Sequence, residues 1–177
     1  IESRSKESID DRKKKMRKLG DDVCVLMLQN EDLDDQVFGL TEKMEKVSGA
    51  TEKLRTLGGL KGKISNKVAT ITKEHKFFTK NTVCPTCTQS IEEEFRINKI
   101  DDAQTKAKEL QSGYQELEEA IKNEEEREHQ FTQLSKEVTT LTHGISKNNT
   151  RISGCQRQIG DLESEIQRLT EQLADRN

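Results

Sequence analysis

Asn81-Thr82-Val83-Cys84-Pro85-Thr86-Cys87-Thr88-Gln89 lies near the middle of a 177-residue chain and is its one clear helix stop. A helix entering this stretch should end before Pro85, the chain's only proline, because proline disfavours the α conformation in the residue before it. Ser90-Ile91-Glu92-Glu93 then reads as a capping box, with Ser at the cap and Glu three positions later, opening a new helix. Helix, short turn and helix make an αα-hairpin. The arms are of similar length, with 83 residues before Cys84 and 90 after Cys87.

Both arms carry the pattern that such a hairpin needs. The first runs Ile9, Arg12, Met16, Leu19, Val23, Leu26, Asn30, Leu33, Val37, Leu40, Met44, Val47, Thr51, Leu54. A seam residue every 3.5 positions keeps one face turned to a partner helix, which is the heptad signature of a coiled coil. The far end repeats it with Val138, Leu141, Ile145, Asn148, Ile152, Cys155, Ile159, Leu162, Ile166, Leu169 and Leu173. Nearer the turn the seam continues through Leu57, Leu60, Ile64, Val68, Ile71, His75 and Phe78, with one four-residue irregularity. It returns through Ile100, Ala103, Ala107, Leu110, Tyr114, Leu117 and Ile121, and the polar stretch from Lys122 to Gln130 weakens it. Gly58-Gly59 and Gly62 predict a break in the first arm, since Gly costs about 1 kcal/mol against Ala within a helix.

Composition agrees with narrow seams and not with a thick core. Hydrophobic residues make up 30%, charged residues 36% and aromatics 3%, with no Trp. The fold expected is therefore all-α: a long antiparallel coiled-coil hairpin, with an ascending helix over 1–80 broken near 58–62, a turn over 81–90, and a descending helix over 91–177. Each seam holds one Asn, and a buried Asn is a register device. If Asn30 faces Asn148, paired positions add to 178, and residues 1 and 177 pair as well. The lack of an initial Met suggests a piece of a longer protein.

The net charge of −3 comes from interspersed acids and bases, with no basic stripe suited to phosphates. No apolar run approaches the roughly 20 residues that span a bilayer, and no signal peptide is visible. The expectation is a cytoplasmic segment with reduced cysteines and no membrane partner. Gly58-Gly59-Leu60-Lys61-Gly62-Lys63-Ile64 is not a phosphate loop, because its spacing is wrong and Ile follows Lys. His75, His129 and His143 lack ligand partners at helical spacing. Cys24 and Cys155 read as small residues beside and on the seam.

Cys84 and Cys87 are different. Two thiols at CxxC spacing, with Pro85 stiffening the turn between them, suit a zinc knuckle, whose backbone N–H groups point at the thiolates. A structural zinc takes four ligands and this turn supplies two. Cys24 and Cys155 lie 60 and 68 residues away, roughly 90–100 Å along a helix. The simplest completion is the same pair from a second copy, giving one zinc per two chains and a homodimer. A redox pair is the alternative, although redox CxxC motifs sit in βαβ surroundings and only helical seams are present here. A metal-free coiled-coil scaffold with an incidental CxxC is the third reading. Val83, Phe78, Ile91 and Phe95, with Pro85, are expected to support the turn or to join the contact between copies.

A long coiled-coil hairpin with Cys84-Pro85-Thr86-Cys87 at its turn resembles the zinc hook of the SMC-like ATPase subunit of DNA double-strand-break repair complexes, the Rad-fifty/SbcC type. Val83 to Ile91, followed by an acidic helix start, is most similar to the branch found in the T-even phage recombination endonuclease. Many members have Gly after the second Cys, where this chain has Thr88. The resemblance implies a metal-dependent tether within a longer ATPase that works with a nuclease subunit and DNA, in the host cytoplasm if phage-encoded. This segment is itself expected to be neither an enzyme nor a direct nucleic-acid binder.

Overall fold

The structure is a computed structural model and describes residues 2–176. The chain is helical, with α1 (Glu2–Lys46), α2 (Ala50–Lys80) and α3 (Glu93–Arg176). Contacts divide it into two units, one of residues 1–46 with 132–177 and one of residues 47–131. No helix among the described residues is long and apolar enough to cross a membrane.

In the first unit α1 packs antiparallel on the C-terminal part of α3. Val23, Leu26 and Ile152 form its buried cluster, with Cys155 packed against them. Asn148 Nδ2 donates to Asn30 Oδ1 at 3.0 Å, and Asn30 Nδ2 donates to Asn149 Oδ1 at 2.9 Å. Asn30 therefore faces Asn148 as the register requires, and Asn149 joins the pair. Arg12 Nε lies 2.6 Å from Glu165 Oε2, one position from the same register. The pairing of residues 1 and 177 lies outside the described residues.

In the second unit α2 packs antiparallel on the N-terminal part of α3. Its facing pairs follow nearly the same register, from Lys53 with Glu124 at 3.9 Å to His75 with Gln104 at 3.4 Å. Two features differ from the sequence expectation. The break falls at Val47-Ser48-Gly49, and α2 runs unbroken through Gly58, Gly59 and Gly62. Gly49, the N-cap of α2, has φ +81°, a left-handed conformation that Gly adopts without a Cβ clash. The other three glycines keep helical backbone on an exposed face while Leu57 and Ile64 stay partly buried. Helix loss there would forfeit seam packing that offsets the glycine cost.

The seam also passes through Lys61 and not Leu60. Leu60 is exposed, whereas Lys61 is half-buried with its Nζ 5.3 Å from the centre of the Tyr114 ring. A lysine stem can cover apolar surface while its ammonium sits over an aromatic face. With Lys61 in place the spacing from Leu54 to Phe78 has no irregularity. The irregularity lies at the break, where buried Ala50 occupies the seam and Thr51 is exposed.

The polar stretch of α3 faces that break. Arg127 Nη2 donates to Ser48 O at 3.3 Å, and Arg127 is held by Glu124 at 3.0 Å. A helix end leaves carbonyls without intrahelical partners, and a polar seam supplies a donor there.

Candidate metal centre

The connection between α2 and α3 is built by hydrogen bonds from both sides. Asn81 closes α2, its backbone N and its Nδ2 donating to Phe77 O at 3.1 and 2.9 Å. The chain is then extended, and Val83 pairs with Ser90 in an isolated antiparallel bridge. Ile91 N donates to Thr82 O and Cys84 N to Gln89 O, both at 2.9 Å. These bonds require Ser90 to be extended, so it is a bridge residue and not a helix cap. Helix α3 therefore begins at Glu93, and the descending helix expected from 91 is shorter at this end. The turn expected over 81–90 occupies 81–92.

Inside this frame Cys84-Pro85-Thr86-Cys87 turns back on itself. Thr88 N donates to Cys84 O at 2.9 Å, which closes the turn. Thr88 has φ +59°, the only non-glycine residue with positive φ among the described residues. A left-handed backbone at this position favours Gly, so Thr88 is strained.

The fold brings Cys84 and Cys87 to within 3.3 Å, and both are free thiols. The Cys84 thiol is held below its ordinary value. The Cys87 backbone N–H is the largest cause, followed by the Thr86 N–H and the Cys87 side chain, while burial works in the opposite direction. Hydrogen bonds to a thiolate favour the charged form, the form that binds metals. Cys84 is partly buried and Cys87 exposed. Among the described residues no group of three or more His, Cys, Asp or Glu side chains is placed to hold a metal ion. The donor set in one chain is thus two thiols, which suits half of a tetrahedral sulfur site.

The residues expected to support the turn divide into two groups. Phe78 and Ile91 are partly buried. Phe78 meets Phe77 and Phe95 edge-on, at centroid distances of 5.1 and 5.9 Å. Val83 and Phe95 remain 46% and 49% exposed, and Pro85 is exposed too. Arg96 is a support that the sequence reading did not single out. Its Nη1 donates to Phe78 O at 3.0 Å, while Nη2 and Nε grip Glu93 at 2.6 and 3.0 Å. It satisfies a carbonyl in the last turn of α2 from the first turn of α3, which ties the two sides of the connection together. An Arg three positions after an acidic residue was the visible signal, but its partner across the turn was not. Compared with known proteins, the chain matches no family model and no curated protein.

Proposed function

We propose that the chain is a zinc-dependent tether, an antiparallel coiled-coil hairpin with a zinc hook at its turn. Cys84 and Cys87 contribute two thiolates, and the same pair from a second copy completes a four-thiolate site with one zinc per two chains. The observation that carries this reading is the approach of the two thiols in a turn whose N–H groups face the Cys84 sulfur. Two thiols this close can share one ion at about 2.3 Å each. Structural zinc sites of this kind bind with apparent energies of roughly 10–16 kcal/mol at neutral pH. Dividing the ligands between two chains makes part of that energy available for association, so metal controls dimerisation. Val83 and Phe95, exposed beside the turn, supply apolar contact around the ion. The CPTC turn's resemblance to the SMC-like repair ATPases gives the tether its setting. There it joins two ATPase–nuclease complexes engaged on DNA, and this segment does no chemistry of its own.

The experiment is the molar mass of the purified chain in solution with zinc, then with a strong chelator, and again for Cys84→Ser. At low protein concentration and high salt, the tether predicts a mass near twice 20.2 kDa that falls with chelation and with the mutation. A mass indifferent to both leaves a metal-free scaffold. The lowered Cys84 thiol also suits a redox pair. That reading predicts instead an intrachain Cys84–Cys87 disulfide, with no bound zinc at equilibrium.

A further inference from the structure

Helix α1 carries a second stripe, on the face turned away from α3. Residues Lys14, Arg17, Lys18, Asp21, Cys24, Val25, Leu28, Glu31, Asp32 and Asp35 recur every 3 or 4 positions, half a turn from the seam, and all are exposed. Val25 is 53% and Leu28 65% exposed, although they belong to Val23-Cys24-Val25-Leu26-Met27-Leu28, six apolar residues in a row. A helix segment apolar on all sides is normally covered on all sides. Here α3 covers only the side of Val23 and Leu26.

Over this stretch, unlike the interspersed charge expected for the chain as a whole, charge along the stripe is sorted into blocks. Six of the seven residues from 12 to 18 are basic, whereas residues 19–42 include seven acids and no Lys or Arg. Among the described residues, Lys14, Arg17, Lys18, Glu31, Asp32 and Asp35 form no ion pair within the chain. An ordinary solvated face interleaves its signs, as the rest of this chain does. A basic block, an apolar centre and an acidic block in sequence make a surface complementary to itself reversed.

We infer that this outer face of α1 binds the same face of a second copy, antiparallel, about a two-fold axis between Cys24 and Val25. In that arrangement positions whose numbers add to 49 face each other: Lys14 with Asp35, Arg17 with Asp32, and Lys18 with Glu31. The two-fold repeats each pair, so six ion pairs flank an apolar centre of Cys24, Val25 and Leu28 from both copies. Asp21 meets Leu28 at the border of the apolar centre. The contact is isologous, as closed dimers require. It runs about 32 Å, the rise of a helix from residue 14 to 35. It is narrower than a standard interface, so it is a weak, salt-sensitive association, separate from the metal-linked one.

Sedimentation equilibrium on the 177-residue chain with Cys84→Ser and Cys87→Ser, in chelator, isolates this contact from any zinc link. The expected result is a concentration-dependent dimer that dissociates as salt rises. Reversing the basic block (K14E, R17E, K18E) should weaken it roughly tenfold or more, as should reversing the acidic block (E31K, D32K, D35K). Mixing the two variants should give a one-to-one heterodimer, and combining both reversals in one chain should restore the homodimer. All six positions are exposed, so unchanged far-UV circular dichroism is expected and checks folding. A chain that stays monomeric at high concentration in low salt overturns the inference. So does a dimer that ignores the reversals, or reversals that fail to rescue each other.

Discussion

Thr88 shows most clearly how one position constrains the turn. Its φ of +59° is imposed by the bonds on either side, Thr88 N to Cys84 O and Cys84 N to Gln89 O. A β-branched side chain in that region costs on the order of 1–3 kcal/mol, which Gly avoids at some expense in unfolded-state entropy. Thr88→Gly should therefore raise stability by roughly 1 kcal/mol, read as slower amide exchange at Cys84 and Thr88. Faster exchange in the variant would mean that the Thr88 hydroxyl, which donates to Cys87 O at 2.7 Å, matters more than the strain. The sequence shows Thr after the second Cys and nothing of its backbone. The positive φ comes from the backbone bonds of residues 84–89 acting together.

At the scale of an element, glycines of the same helical arm should respond in opposite directions. A Cβ at Gly58, Gly59 or Gly62 meets nothing within 4 Å, and their backbone is helical, so Ala should stabilise by about 0.5–1 kcal/mol at each. Gly49 is equally uncrowded but has φ +81°, so Gly49→Ala should destabilise by about 1–2 kcal/mol. Urea unfolding of the four single variants checks both signs, and stabilisation at Gly49 would remove the break from the folded state. The Asn pair gives a second contrast. Asn30→Leu alone leaves the half-buried amide of Asn148 without its protein partner and should cost about 0.5–1.5 kcal/mol. Asn30→Leu with Asn148→Leu should recover stability while loosening the register, visible as broadened amide signals in unit one. A double variant less stable than the single one would show that the amide pair stabilises the helices outright.

For the whole molecule, stability is distributed along seams and not concentrated in a core. Six hydrophobic side chains among the described residues are buried, in both units, and none is polar. A structure of neighbour contacts transmits local stabilisation poorly over distance. If zinc joins two turns, it should raise amide-exchange protection in residues 47–131, most strongly from Phe78 to Arg96. Residues 2–46 and 132–176 should change little. Uniform protection throughout would indicate a cooperative unit larger than either of the two. Much of this architecture follows from sequence alone: the helices, the end of the first arm before Pro85, and the pairing of Asn30 with Asn148. Each is a consequence of local chemistry or of a period, and both are written in consecutive residues. Tertiary structure decided where the first arm breaks, that Lys61 replaces Leu60 in the seam, and that α3 starts at Glu93. It also decided that Arg96 closes the turn. Glycine runs look alike until a partner helix rewards or abandons their packing, and Lys61 reads as polar until Tyr114 lies beneath it. A capping serine serves as a cap only where no opposing strand claims its backbone.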